Sequence, residues 1–173
     1  MKIALYLGSF NPFHNGHLKV IKTALNDFKV DRVIIVPSMQ NPWKKEKPLD
    51  IYERIDLIEK SILDNFWIER YKVRISPIEK GLISPYYSYA TLHALKNKYC
   101  NDEVFVLCGE DTIKDIPNWM NGEAIIQDYN FLIVDRFSWD ISSSQIREYV
   151  KLNKDISNFV SPNVINLIKK YYK

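Results

Sequence analysis

Five short apolar runs, each followed by a longer polar or amphipathic segment, constrain the fold of this chain more than any other feature. The runs are typical of buried strands, and they cover residues 2–7, 32–37, 71–76, 103–109 and 130–135. The intervals between them are long enough for helical crossovers, which parallel strand pairing requires. This alternation predicts an α/β fold in which helices cover both faces of a central parallel sheet.

The segments between the runs carry helical spacing and capping residues. Leu18, Ile21, Leu25 and Phe28 recur at helical spacing after Gly16. Further helices are predicted to end near residues 63, 99, 152 and 172. Three of these have a residue suited to the N-terminal cap, namely Asp50, Ser88 and Ser161, the last followed by a proline at the first helical position.

Length and composition limit the class of protein. The 173 residues, with 46% hydrophobic and 26% charged, predict a single globular domain over residues 1–173. A net charge of +3 does not by itself argue for a nucleic-acid partner. The apolar runs fall well short of the roughly 18 residues that span a membrane, and the first is too short for a signal peptide. We therefore expect a cytoplasmic protein that binds neither nucleic acid nor membrane.

The two cysteines, Cys100 and Cys108, do not have the spacing of a metal site, and a disulfide framework would need more of them. Cys108 ends an apolar run, so a buried thiol is predicted there, whereas Cys100 is expected to be exposed. Free thiols are typical of a reducing compartment. No metal-ligating residues are predicted.

The segment GSFNPFHNGH, residues 8–17, directly follows the first strand, where parallel-sheet proteins bind ligands. Gly8 allows a ligand to approach the backbone closely. His14 and His17 are three residues apart, so they would share one face at the first turn of a helix, beside unpaired amides that favour an anion. We predict a phosphate site; the alternatives are that the histidines cap and pack the helix, or that they bind a metal.

A second anion cradle is predicted in ISSSQIR, residues 141–147, which follows the fifth strand. Its three serines offer hydroxyls and amides at the start of a helix, and Arg147 can donate two hydrogen bonds to a phosphate. The alternative is an ordinary serine-capped helix with a solvated arginine.

These motifs, in this order, resemble the bacterial nicotinate-nucleotide adenylyltransferase family of the H-x-G-H nucleotidyltransferase superfamily. The family's opening motif G-x-F-D-P-x-H-x-G-H corresponds to residues 8–17, and its motif I-S-S-T-x-I-R corresponds to residues 141–147. Three further motifs are matched, at least in part, by Pro37, Pro42 and Lys44, by Tyr87, Ser88, Thr91 and Leu92, and by Gly109, Asp111 and Trp119. The resemblance implies a Rossmann-like three-layer sandwich.

The resemblance also implies an activity, the transfer of AMP from ATP to nicotinate or nicotinamide mononucleotide in NAD biosynthesis, with release of pyrophosphate. The catalytic residues it implies are His14, His17, Lys44 and Arg147. The ATP-binding residues it implies are Gly8, Ser9, Phe10, Gly16, Gly109, Asp111, Ile141, Ser142, Ser143 and Ser144. The acceptor-binding residues it implies are Asn11, Tyr87, Ser88 and Trp119. Mg²⁺ would be held mainly by the ATP phosphates, and the oligomeric state stays open, a homo-oligomer included.

Three departures from the family pattern leave the acceptor open. Asn11 and Ala90 stand where the family has aspartate, and only residues 137–140 separate Arg136 from Ile141. The alternatives are a nucleotidyltransferase with another phosphate acceptor or with CTP as donor, and a non-catalytic nucleotide-binding sensor. His14 argues against the phosphopantetheine-using relatives, which have threonine at that position.

Overall fold

The computed structural model describes residues 1–40, 47–66, 69–135 and 141–173. In this part of the chain one parallel sheet has the strand order β3-β2-β1-β4-β5. Its strands are β1 (Lys2–Gly8), β2 (Arg32–Pro37), β3 (Val73–Ile75), β4 (Glu103–Gly109) and β5 (Asn130–Val134). All neighbouring strands pair in parallel, so the predicted sheet is confirmed, although β3 is shorter than expected.

Seven α-helices connect and follow these strands in the described ranges. They are α1 (Asn15–Asn26), α2 (Ile51–Asn65), α3 (Ser88–Lys98), α4 (Glu110–Asp115), α5 (Gly122–Asp128), α6 (Ser143–Lys151) and α7 (Ile165–Tyr171). Helices α4 and α5, which lie between β4 and β5, were not predicted from the sequence. The other five overlap the helices predicted from the sequence, although α7 begins only after a 3₁₀ turn at Pro162–Val164.

The predicted caps have different outcomes. The Asp50 side chain accepts a hydrogen bond from the backbone amide two residues on, which confirms it as the cap of α2. Ser88 was wrongly predicted as a cap, because Tyr87 occupies the N-cap position and Ser88 is the first helical residue. Ser161 precedes a 3₁₀ turn that leads into α7, and its hydroxyl accepts a hydrogen bond from the Asn65 amide instead of capping the turn.

Side-chain alternation along the central strands gives the sheet two buried faces. On one face, Ala4 and Tyr6 of β1 pack in a core with α1 and α2. On the other face, Ile3 and Leu5 pack in a second core with α3 and α5. Because both faces are covered, the central strands are apolar throughout, and the three-layer arrangement is confirmed.

The C-terminal part of the chain packs against α2 and against the loop that follows β1. A third core joins Leu57 of α2 to buried residues of α6 and α7. The backbone amide of Asn15 donates a hydrogen bond of 2.8 Å to the carbonyl oxygen of Phe159. The start of α1 is therefore held in place by residues far along the chain.

Both cysteine predictions are confirmed: Cys100 is exposed and Cys108 is buried. Burial raises the pKa of the Cys108 thiol to about 11, so this thiol is protonated at neutral pH. Among the helices of the described ranges, none combines the length and the apolar character that crossing a membrane requires.

Candidate active site

Two cavities open at the carboxyl end of the sheet, on either side of the end of β1. The larger has a volume of about 620 Å³ and the smaller a volume of about 220 Å³. Leu7, Gly8 and Thr112 line both cavities, so the end of β1 and the first turn of α4 form a shared wall. Two ligands bound one in each cavity would meet at this wall.

The smaller cavity collects most of the residues predicted to bind ATP. They come from the loop after β1, from the end of β4 and from the start of the segment before α6, and they are Gly8, Phe10, Gly16, Gly109, Asp111 and Ile141. The predicted catalytic residues His14 and His17 line the same cavity, whereas Ser9, also predicted to bind ATP, lines the larger one. These residues are far apart in sequence. The fold therefore brings the predicted ATP site together at the edge of the sheet where the sequence placed it.

The two histidines cap helix α1 reciprocally. His14 is the N-cap, and its Nδ1 accepts a hydrogen bond of 3.1 Å from the amide of Gly16. His17 Nδ1 accepts a hydrogen bond of 3.1 Å from the amide of His14, and the two rings stack with centroids 3.7 Å apart. Because each Nδ1 accepts, the proton of each neutral ring is on Nε2, which suits both rings to donate to an anion. The capping role considered from the sequence is confirmed.

Phe10 supports the histidine pair through its buried ring. Its backbone is left-handed, with φ of 47°, and its side chain is 2% exposed. The Phe10 ring meets the His17 ring edge-on with centroids 5.0 Å apart, and Phe13 stacks on His17 at 5.1 Å. These aromatic contacts fix the orientation of His17. With its ring in the core, Phe10 can contribute to ATP binding only through its backbone.

The glycines of the loop are required by close approach. A Cβ atom on Gly8 would lie 2.9 Å from the Phe10 ring, and one on Gly16 would lie 2.9 Å from Cε1 of His14. Neither distance is tolerated by a side chain without movement of its neighbour. A side chain at Gly8 or Gly16 would therefore displace the ring of Phe10 or His14, respectively.

The serine segment forms a capped helix start beside the loop. Ser142 Oγ accepts a hydrogen bond of 3.2 Å from the amide of Gln145, and Gln145 Oε1 accepts one of 2.7 Å from the amide of Ser142. The Ser143 hydroxyl donates a hydrogen bond of 2.8 Å to the carbonyl oxygen of Pro12. The serine hydroxyls thus serve the fold, and the amides of the first turn are the groups suited to an anion.

Arg147 and Asn11 connect the serine segment to the loop. The Arg147 guanidinium donates to the carbonyl oxygen of Asn11 at 2.7 Å and to the hydroxyl of Ser144 at 3.2 Å. The Asn11 side-chain oxygen accepts hydrogen bonds from the amide of Leu49 at 3.1 Å and from the hydroxyl of Tyr172 at 2.6 Å. Asn11, predicted to contact the acceptor, therefore uses its side-chain oxygen to join remote parts of the fold.

The larger cavity collects the other residues predicted to bind the acceptor, Tyr87, Ser88 and Trp119. The Trp119 indole N–H donates a hydrogen bond of 2.9 Å to Oδ2 of Asp115, which also lines the cavity. This bond holds the pKa of the Asp115 carboxyl below its ordinary value. The indole is thereby oriented at the edge of a cavity large enough for a nucleotide.

Comparison with known proteins agrees with this geometry. Residues 5–149 match the family model described as cytidylyltransferase-like. A relative from Cytophaga hutchinsonii named "Probable nicotinate-nucleotide adenylyltransferase" is 34% identical over 99% of this chain and 98% of its own length. One of the same name from Flavobacterium psychrophilum is 33% identical over the full length of both chains. The chain belongs to the nicotinate-nucleotide adenylyltransferase family.

Solved structures of the adenylyltransferase family share the fold. A crystal structure from Vibrio parahaemolyticus, assigned to the same family, superimposes with a TM-score of 0.82 at 25% identity, over 99% of this chain and 96% of that one. The Plasmodium falciparum nicotinic acid mononucleotide adenylyltransferase complexed with NaAD superimposes with a TM-score of 0.79 at 21% identity, over 98% of this chain and 95% of that one. The predicted Rossmann-like fold and the nucleotidyltransferase class are confirmed.

One predicted catalytic residue of this adenylyltransferase, Lys44, lies outside the described residues, as do residues 137–140. Within the described part, two buried charged residues beside the site were not predicted. Arg54 is 1% exposed and Glu79 is 3% exposed. Arg54 could have been noticed from the sequence, because it precedes the buried Leu57 and Ile58 by three and four residues and so lies on the apolar face of its helix.

Glu79 lines the larger cavity, and each of its carboxylate oxygens accepts a hydrogen bond. Its carboxylate accepts a hydrogen bond of 2.7 Å from the amide of Met39 and one of 2.9 Å from the hydroxyl of Thr91. Burial raises the pKa of Glu79, and the two hydrogen bonds and the charge of Arg54 oppose that rise. No motif in the sequence marked this residue, because its partners come from a loop after β2 and from α3.

Proposed function

We propose that this adenylyltransferase transfers AMP from ATP to nicotinate mononucleotide, giving the dinucleotide and pyrophosphate in NAD biosynthesis. The observation that carries the proposal is the wall at Gly8, which separates a cavity lined by two histidines from a cavity lined by a tryptophan. ATP in the first cavity and a pyridine mononucleotide in the second would bring the two reacting phosphates together. The names of the relatives favour nicotinate as the pyridine.

The proposed reaction is a single in-line displacement. An oxygen of the acceptor phosphate bonds to the α-phosphorus of ATP, the bond from that phosphorus to the bridging oxygen breaks, and pyrophosphate leaves. The protein forms no bond to either substrate, so its task is to position them and to stabilise the charge that builds on the phosphates. His14 and His17 perform this task through their Nε2–H groups.

The remaining predicted contacts extend outward from the histidines. Lys44 and Arg147 hold the triphosphate together with the amides of Ser143 and Ser144, while Gly109 and Asp111 lie toward the adenosine. On the acceptor side, Trp119 stacks on the pyridine ring with Tyr87 and Ser88 beside it. Asn11 remains a predicted acceptor contact, through its backbone or its amide nitrogen. The cytoplasmic location predicted from the sequence stays a prediction.

Mg²⁺ fits the donor set of the smaller cavity. Asp111 and Asp135 both line it, and carboxylate oxygens are ligands that Mg²⁺ prefers. Such an ion would be held mainly by the ATP phosphates and would offset part of their charge. Asp135 is the residue that would complete its coordination, since Asp111 is assigned to the adenosine side.

The test is pyrophosphate release from ATP and Mg²⁺ with nicotinate mononucleotide, nicotinamide mononucleotide and phosphopantetheine offered separately. We expect fast release with nicotinate mononucleotide and much slower release with the others. Fast release with a different acceptor would replace the proposed acceptor. Release with CTP in place of ATP would change the donor, and no release with any pair would make the protein a nucleotide-binding sensor.

A further inference from the structure

A buried arginine lies directly behind the loop of residues 8–17. Arg54 belongs to α2, and all three hydrogen bonds found for its guanidinium within the described residues go to backbone carbonyl oxygens. Its Nη1 donates to Ser9 at 2.6 Å and its Nε donates to Leu49 at 2.7 Å. Its Nη2 makes a longer contact of 3.5 Å with the carbonyl oxygen of Met39.

A charged side chain at this position carries a cost that an apolar one would not. Burial lowers the pKa of Arg54, and the nearest opposing charges act on it from a distance rather than through an ion pair. The neighbouring positions on the same face of α2 hold Leu57 and Ile58. Leucine or methionine would fill the same space without this cost. The hydrogen bonds that the guanidinium donates therefore explain why an arginine is present.

The three carbonyl oxygens that accept from Arg54 belong to segments that must be aligned for nucleotidyl transfer. Ser9 follows Gly8, which lines both cavities, and itself lines the larger one. Met39 and Leu49 stand on either side of the segment that carries the predicted catalytic Lys44. A planar guanidinium fixes the directions of its donors, so Arg54 sets the first loop and both ends of the second segment in one relative geometry.

The contact with Ser9 also bears on the phosphate site itself. In a trans peptide the N–H of Phe10 points away from the carbonyl oxygen of Ser9, and therefore away from Arg54. A charged donor on that carbonyl polarises the peptide and strengthens the Phe10 N–H as a donor. Phe10, whose backbone is left-handed, is one of the residues that line the smaller cavity. Through the Ser9 carbonyl oxygen, Arg54 thus stabilises the left-handed backbone of Phe10.

Glu79 holds the same segment from the other side. Its carboxylate accepts the amide hydrogen of Met39, whose carbonyl oxygen faces Arg54. The Met39 backbone is therefore held at both its polar groups by buried charged residues. The Leu49 backbone is also held at both its polar groups, because its amide donates to the Asn11 side chain and its carbonyl oxygen accepts from Arg54.

We propose that Arg54 is a positioning residue for nucleotidyl transfer, which aligns the loop of residues 8–17 with the backbone of Met39 and of Leu49. The proposal rests on the proposed function, because it assigns Arg54 to the alignment of ATP phosphates at that site. Arg54 acts through the backbone of Ser9, Met39 and Leu49 and touches no substrate.

The first experiment compares Arg54→Lys with the wild type in steady-state kinetics. Lysine keeps the charge but loses the planar fork, so it cannot hold three carbonyl oxygens at once. We expect kcat to fall about tenfold or more and KM for ATP to rise several-fold. Because Ser9 lines the larger cavity, KM for the acceptor should rise as well. The matched control is Ser61→Ala, on the same helix, whose buried hydroxyl donates only to Leu57 one turn earlier. The control should leave both KM values and kcat unchanged.

The second measurement is calorimetric binding of a non-hydrolysable ATP analogue and of AMP to the same variants. Misaligned phosphate contacts weaken the analogue and leave AMP, which has no triphosphate, nearly unaffected. This readout separates the two proposals, because an analogue-specific loss in Arg54→Lys supports positioning even if the wild type turns over no acceptor. Wild-type turnover with an unaffected Arg54→Lys would overturn positioning alone.

The stability of the Arg54 variants must be measured alongside their activity. If Arg54→Lys does not fold, Arg54→Gln, which is neutral and keeps one donor, replaces it. Activity lost only in proportion to the unfolded fraction overturns the proposal, as does an analogue affinity equal to that of the wild type. Failure of both variants to fold would also overturn it, because Arg54 would then be a core residue without a separable role in alignment.

Discussion

His14 and His17 stack with ring centroids 3.7 Å apart. Each side chain accepts a hydrogen bond from a backbone N–H at the start of helix α1, so the two residues cap this helix together. Nδ1 of each ring therefore serves the fold, and under the proposed function Nε2–H of each ring would donate to the phosphates. Substitutions that keep one function and remove the other can separate the two.

The first prediction concerns His17→Asn. The asparagine side-chain oxygen stands near the position of Nδ1 and can still accept from the His14 amide, whereas the Nε2–H group is lost. We expect turnover to fall by about 10²-fold or more while the free energy of unfolding changes by less than about 1 kcal/mol. Pyrophosphate release and urea unfolding measure the two effects.

His17→Ala is the companion variant, which removes both functions. It should lose as much activity as His17→Asn and should also lose about 1 kcal/mol of stability, because the reciprocal cap is broken. The ring of His17 also stacks against Phe13 and His14, so its removal costs packing as well as the cap. Full turnover in His17→Asn would contradict the role of Nε2–H.

The sequence predicted the sheet well because strands buried on both faces read as continuous apolar runs. It missed α4 and α5, since residues 110–128 are short, polar and interrupted by Pro117 and Gly122. It predicted β3 too long, because Tyr71 and Lys72 lie in a 3₁₀ turn and the strand, which pairs only with β2, extends only from Val73 to Ile75. Edge strands need less apolar sequence and give weaker signals.

Motifs predicted which segments meet at the site but not how they are held. The histidines and the serine segment were visible as local patterns next to a strand end, and Trp119 followed from the family resemblance. Arg54 could be noticed only as a charge on the apolar face of its helix. Its contacts could not be predicted, because they go to carbonyl oxygens of Ser9, Met39 and Leu49, and any residue supplies a carbonyl oxygen. Backbone acceptors from remote loops leave no trace in a sequence.

The second prediction concerns Gly16→Ala. The new methyl group would lie 2.9 Å from Cε1 of His14, so the imidazole must move. Alanine is the better helix former by about 1 kcal/mol, so the variant should be at least as stable unless strain cancels the gain. We expect turnover to fall about tenfold as the His14 donor leaves its place.

Gly81→Ala is the matched control for Gly16→Ala. A Cβ atom at Gly81 meets nothing within 4 Å, so this substitution should leave turnover unchanged. Steady-state kinetics and thermal unfolding of both variants make the comparison. Equal turnover in the two variants would show that the close contact at Gly16 does not set the position of His14.

The third prediction concerns Asp115→Asn. The Trp119 indole would exchange a charged acceptor for a neutral one, so its orientation in the larger cavity would loosen. We expect KM for the acceptor to rise by about threefold to tenfold, with kcat and KM for ATP nearly unchanged. Glu110→Gln is the control, since Glu110 is an exposed residue of the same helix, paired with Lys114. A rise in KM for ATP instead would place Trp119 on the ATP side.

The fourth prediction concerns the pH dependence of stability. Burial raises the pKa of Glu79 above its ordinary value of 4.5, and the hydrogen bonds from Met39 and Thr91 only partly oppose it. The native protein therefore binds this proton more tightly than the unfolded chain does. It follows that Glu79 lowers the free energy of unfolding as pH rises from about 4.5 through the raised pKa, and that its contribution is constant outside that window.

Glu79→Gln should remove this slope and keep the structure. The glutamine oxygen can accept from the Met39 amide, and its NH₂ group can donate to Thr91 because the hydroxyl can reverse its role. Urea unfolding of both proteins over a pH series gives the difference in unfolding free energy at each pH. We expect that difference to favour the glutamine variant increasingly as pH rises through the window and then to level off. Parallel curves would mean that Glu79 titrates alike in the native and the unfolded protein, and that its buried charge is fully compensated by Met39, Thr91 and Arg54.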